Sequence, residues 1–180
     1  MNTLERRSAV ELRAISPGRL EGYAAVFGVS SHDLGGFREI VRSGAFSRSL
    51  KGGHNVRALY DHDGRSVLGR MGAGTLRLAE DTRGLHFEID LPGTTVAKDL
   101  SVLVERGDVA GASFAFSVPS GGDEWRSTEA GILRELIDVD LHEITVTADP
   151  AYPDTTVAKR HLPNLRRRLS LAMRFLETCR

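Results

Sequence analysis

The chain has 180 residues, 41% of them apolar and 27% charged, with 24 Lys and Arg against 24 Asp and Glu. That composition suits one soluble globular domain with a short appendage, and the zero formal charge argues against a surface built throughout to hold nucleic acid. Cys179 is the single cysteine, which excludes an intramolecular disulfide and a cysteine-based zinc site; no apolar run is long enough for a membrane span. The N-terminus lacks the apolar core of a signal peptide, so a reducing cytoplasm is the expected compartment.

Strands are expected over residues 10–15 and 19–27, joined at Ser16-Pro17-Gly18. A loop over 30–36 leads to a short strand at 37–41 and a turn or two of helix over 44–50. In Asn55-Val56-Arg57-Ala58-Leu59-Tyr60-Asp61-His62-Asp63, alternation puts Val56, Ala58, Tyr60 and His62 on one face, with His62 at the strand end. Strands at 67–71, 75–80 and 85–91 follow, the last two closed by a hairpin at Asp81-Thr82-Arg83-Gly84. One clear helix runs from a cap at Thr94 or Thr95 to Gly107, with Val96, Leu100, Leu103 and Val104 at helical spacing.

Residues 109–118 read as a strand with two unlike faces. Ala112, Phe114, Phe116 and Val118 form an apolar side. Gly111, Ser113, Ala115 and Ser117 form a small one that another backbone or a substrate can approach. A hairpin over 124–137 precedes a strand at 138–147, where alternation sets Val139, Leu141, Glu143, Thr145 and Thr147 apart from Asp140, His142, Ile144 and Val146. Asp149 to Pro153 closes the body. From about Pro163, Leu165, Leu169, Ala172, Met173 and Leu176 form the apolar stripe of a last helix. Seven Lys and Arg lie between Lys159 and Arg180 against one acid, Glu177, most simply the solvated side of that helix. Many short strands with one or two helices suggest a mainly β, α+β fold: a closed or nearly closed barrel ringed by helices.

Three polar residues stand where packing alone would not put them: His62 at a strand end, Ser113 within a strand, and Glu143 on an otherwise apolar face. A serine hydroxyl needs a base within reach, and that base needs a third group to fix its tautomer. His62, Ser113 and Glu143 could supply all three. They could also be a turn histidine, a small packing residue and a surface ion-pair partner. Asp61-His62-Asp63 does not read as a metal site, because neighbours on a strand point to opposite sides. No cofactor is expected.

Gly22-Tyr23-Ala24-Ala25-Val26-Phe27-Gly28 and Phe37-Arg38-Glu39-Ile40-Val41, followed by Gly44-Ala45-Phe46, resemble the opening of the prohead proteases of tailed phages with HK97-like capsids. The similarity continues through Leu59-Tyr60-Asp61-His62-Asp63, Val67-Leu68-Gly69-Arg70 and Gly111-Ala112-Ser113-Phe114-Ala115-Phe116. Asp140-Leu141-His142-Glu143-Ile144-Thr145-Val146-Thr147 with Pro150-Ala151-Tyr152 completes it. The resemblance implies the herpesvirus assembly-protease fold and a serine endopeptidase acting through an acyl-enzyme. On it, His62 is the general base, Ser113 the nucleophile and Glu143 the group that orients His62, with His142 as runner-up for the third place. Strand alternation lets only one of that adjacent pair reach His62.

The same resemblance implies that the substrates are the scaffold segment of the phage major capsid protein, or a separate scaffold protein, and the chain itself. Cleavage would take place inside the immature procapsid in the host bacterial cytoplasm, and a homodimer is implied with it. The expected domains are a protease barrel over 1–158 and a basic amphipathic helix over 159–180. Two alternatives use the same residues differently: a non-catalytic barrel that binds capsid or scaffold, and a hydrolase of small esters or amides.

Overall fold

A computed structural model describes residues 4–148 except Val10, Glu11, Pro17 and His54. The expected helix beyond Pro163, the segment from Asp149 to Pro153 and Cys179 lie outside the described residues. The strands are β1 (Glu5–Ala9), β2 (Leu12–Ser16), β3 (Arg19–Val26), β4 (Phe37–Val41), β5 (Arg57–Tyr60), β6 (Asp63–Arg70), β7 (Leu76–Glu80) and β8 (Gly84–Asp90). They continue with β9 (Gly111–Ser117), β10 (Asp123–Thr128), β11 (Gly131–Leu136) and β12 (Asp140–Thr147). Helix α1 (Ser47–Lys51) follows β4, and α2 (Thr95–Arg106) separates β8 from β9.

The strands form three sheets, ordered β1-β9-β12-β5-β6, β10-β11-β4 and β2-β3-β8-β7. The fold is thus mainly β with few helices, but the barrel expectation needs correcting: none of the three sheets closes on itself. Strand count and alternation carry no information about closure, which depends on pairing between strands distant in sequence. One apolar cluster joins the five-stranded and four-stranded sheets, with Phe114, Phe116, Ile144 and Val146 from the first and Leu20, Phe87 and Ile89 from the second. Helix α2 adds Leu100 and Val104 to that core. It is capped by Thr94, whose hydroxyl accepts from the Ala97 N–H, and it ends on Gly107 at φ 81°, a conformation that a Cβ would strain.

Apolar alternation does not announce β1. It pairs antiparallel with β9 in the register Glu5↔Phe116 to Ala9↔Ala112, and so forms one edge of the five-stranded sheet. Its Glu5 side chain is buried by ion pairing. Arg134, 2% exposed, donates to Glu5 Oε1 and Oε2 (2.9 and 2.5 Å), to Glu39 Oε2 (3.1 Å) and to Asp123 Oδ2 (2.7 Å). Arg7 closes the cage, with Nε on Glu39 Oε1 at 2.6 Å and Nη2 on Glu5 Oε2 at 2.9 Å. Burial opposes the charge on Arg134, but the carboxylates of Glu5, Glu39 and Asp123 outweigh it and hold the guanidinium above its ordinary range.

Candidate active site

The site is built on the five-stranded sheet, where β12 pairs parallel with β5 on one side and antiparallel with β9 on the other. The central strand therefore meets the His62 hairpin and the Ser113 strand at once. Glu143 stands opposite Arg57, and Thr145 stands opposite both Leu59 and Ser113.

Strand β5 ends at Tyr60, which pairs with Asp63, so Asp61 and His62 are the two central residues of a tight hairpin turn. His62 is therefore in the turn itself rather than on the face of Val56, Ala58 and Tyr60. Both turn residues have positive φ, 51° for Asp61 and 56° for His62. That is the backbone of a primed hairpin turn, usually filled by Asn-Gly, and non-glycine residues held there cost of order 1–3 kcal/mol each. Strand β12 supplies what holds them. The Asp61 N–H donates to the Val146 carbonyl (2.9 Å), and the His62 N–H donates to Thr145 Oγ1 (2.9 Å). Thr145 Oγ1 in turn donates to the Leu59 carbonyl (3.1 Å), and Thr147 Oγ1 donates to Asp61 Oδ1 (3.1 Å).

The turn aims the imidazole at Glu143: His62 Nδ1 lies 2.7 Å from Glu143 Oε1. An ionised carboxylate only accepts, so Nδ1 carries a proton, and in the neutral ring Nε2 keeps its lone pair for another donor. Glu143 is 6% exposed, and Arg57 Nη2 sits 3.8 Å from its second oxygen. Sequence alternation gives no sign of Arg57, and it sets Thr145 and Thr147 on the Glu143 face without marking either as part of this site. A hydroxyl run flanking the acid, Thr145-Val146-Thr147, is the one signal that could have found the two threonines.

His142 does not share that arrangement. A β-bulge falls between Leu141 and Glu143, so Leu141 pairs with Phe116 and Glu143 with Ala115, leaving His142 as the extra residue. The expected alternation over 138–147 fails at this point. Leu141 packs in the core with Phe116, and Glu143 takes the Ala115 side. His142 is exposed, with Nε2 2.8 Å from Ser117 Oγ.

Ser113 sits across the β9–β12 ladder from Thr145, one strand removed from the His62 turn. Its hydroxyl donates to the main-chain carbonyl of Arg7 on β1 (2.7 Å), and among the described residues it makes no hydrogen bond to His62. The structure thus joins His62 to Glu143 directly and brings Ser113 into the same neighbourhood with its proton pointed elsewhere. Among the described residues no group of three or more His, Cys, Asp or Glu could hold a metal ion. Asp63, beside His62, instead accepts from the Arg65 N–H first and the Ser66 hydroxyl second, which hold its carboxyl below the usual range.

The chain is 31% identical over 144 residues to the prohead protease of Enterobacteria phage HK97, an alignment that covers 78% of this chain and 59% of that protein. It therefore spans less than two thirds of that curated relative. The structure of the bacteriophage T4 capsid assembly protease shares its fold, with a TM-score of 0.54 at 8% identity over 80% of this chain and 96% of that one. The family model for the caudovirus prohead serine protease matches residues 5–168, and the chain belongs to that family.

Proposed function

We propose that this chain is a serine endopeptidase of procapsid maturation in which Ser113 is the nucleophile, His62 the general base and Glu143 the group that orients His62. The observation that carries the proposal is the 2.7 Å contact from His62 Nδ1 to Glu143, made one strand from a serine on the same sheet. In the neutral ring it leaves Nε2, the nitrogen that must take the serine proton, as the acceptor. Hydrogen bonds between nucleophile and base are often completed only when substrate is bound, so the present direction of the Ser113 hydroxyl is compatible with the role.

In the reaction, Ser113 Oγ turns from the Arg7 carbonyl and attacks the scissile carbonyl carbon as its proton passes to His62 Nε2. Glu143 stabilises the imidazolium. His62 then gives that proton to the departing amine as the C–N bond breaks, and water, deprotonated by His62, hydrolyses the acyl-enzyme. Thr145 acts as a positioning residue, because its hydroxyl holds the backbone of the base. Family membership supports the scaffold segment of a phage capsid protein, or a separate scaffold protein, as substrate inside the immature procapsid. The chain itself is the second expected substrate.

Co-expression with the cognate capsid protein, with and without Ser113→Ala, tests the proposal by intact mass. The capsid protein is expected to lose a segment only with the unmutated chain. Identical masses in both samples would favour a non-catalytic capsid-binding module of the same fold.

A further inference from the structure

We infer that the edge of β9 now covered by β1 is the slot in which an extended peptide substrate binds as an added strand, and that β1 is an internal mimic of that substrate which must leave before Ser113 can react. The inference rests on Ser113 being the nucleophile.

The strand order β1-β9-β12-β5 puts Ser113 between two unlike neighbours. The His62 turn lies on the β12 and β5 side, and the Arg7 carbonyl on the β1 side. Acyl transfer needs that very order, with the base on one side of the hydroxyl and a peptide carbonyl on the other. A scissile carbonyl must come within about 3–3.5 Å of the attacking oxygen. The Arg7 carbonyl oxygen, 2.7 Å from Ser113 Oγ, already fills that ground. Ser113 is only 2% exposed, so a peptide cannot reach it without displacing something.

The ladder between β1 and β9 is a regular antiparallel one from Glu5↔Phe116 to Ala9↔Ala112. An extended peptide of almost any sequence can reproduce such a ladder, because its hydrogen bonds come from the main chain. The grip on β1 also suits a strand that exchanges. Its Glu5 and Arg7 side chains are held chiefly by ion pairs to Arg134 and Glu39, with the Arg7 guanidinium also lying over the Phe116 ring. Burying such pairs costs desolvation that offsets much of their attraction. When β1 leaves, Arg134 keeps Glu39 and Asp123, so no cation is stranded in the interior.

A reversible cross-link tests this in the full chain. Arg6 and Ala115 are directly paired across the two strands, so R6C with A115C in a Cys179→Ser background fastens β1 to β9 when oxidised. The probe is a fluorophosphonate: Ser113 Oγ bonds to phosphorus, fluoride leaves, and intact mass follows the rate, with Ser113→Ala as the blank. Oxidised protein is expected to label about tenfold more slowly than the same protein after reduction. Arg7→Ala, which loosens β1 from Glu39, is expected to label several-fold faster than the unmutated chain. Equal rates before and after reduction, or an Arg7→Ala rate no faster than that of the unmutated chain, overturn the inference while leaving Ser113 the nucleophile. Absence of labelling in every form, Arg7→Ala included, overturns the nucleophile assignment together with it.

Discussion

The two halves of the site are held in different ways. On the base side, four residues of β12 fix the hairpin turn and its imidazole: Glu143, Thr145, Val146 and Thr147. On the nucleophile side, the Ser113 hydroxyl answers to an edge strand held by one ladder, a buried charge cage and the stacking of Arg7 on Phe116. On the proposed roles, strain and precision are concentrated at the base, and the attacking serine is left facing an edge strand. A pre-organised base spends no free energy on orientation at the moment of reaction.

Four changes break or sharpen that contrast. Glu143→Gln should do the most. The amide can donate to Nδ1, which favours the tautomer with its proton on Nε2, and single-turnover cleavage should fall about a thousandfold or more with the circular dichroism unchanged. Arg134→Met attacks the other half. It leaves buried Glu5 and Glu39 to Arg7 and half-buried Asp123 without the cation all three share, and urea unfolding should show a loss of about 3–5 kcal/mol. Thr145→Val removes the acceptor of the His62 N–H and leaves the Leu59 carbonyl without its hydroxyl donor. We expect kcat to fall about tenfold with KM little changed, and Thr145→Ser to restore it. A loss seen in KM alone would contradict the positioning role.

The smallest effect lies away from both halves. Asp90 on β8 is held well below its ordinary 3.8 chiefly by Arg77 and then by Arg19. A carboxylate depressed in the folded state stabilises it at pH values above that ordinary range, and the contribution fades as pH falls toward the folded value. Asp90 is well exposed, so the term is small. Thermal melts between about pH 5 and pH 2 should fall slightly less steeply for Asp90→Asn than for the unmutated chain. Below that range the two curves should converge.

How far the sequence spoke depended on which force placed each residue. Apolar alternation marked β8 and β9, and spacing with Thr94 and Gly107 marked α2, because hydrophobic burial writes a period into the chain. His62, Ser113 and Glu143 drew notice because they interrupt such periods. Strand β1 was invisible because Glu5-Arg6-Arg7-Ser8-Ala9 has no apolar alternation, its Glu5 being buried by charge pairing instead. Asp61-His62 did not read as a hairpin turn because neither residue is the glycine that usually marks one. Alternation says only that one of His142 and Glu143 can reach His62, and the geometry that separates the two is a bulge, which breaks alternation. Sheet closure could not be read at all, since it depends on long-range pairing.

The extra residue at position 142 has a further consequence for how this strand can vary. Leu141 and Glu143 are two apart, a spacing that would ordinarily commit both to one side, yet one packs against Phe116 and the other meets an imidazole. The insertion resets the phase of the strand between its packing segment and its chemical segment. Apolar substitutions upstream and polar ones downstream are thereby uncoupled, and each stretch can drift without dragging the other to the wrong surface.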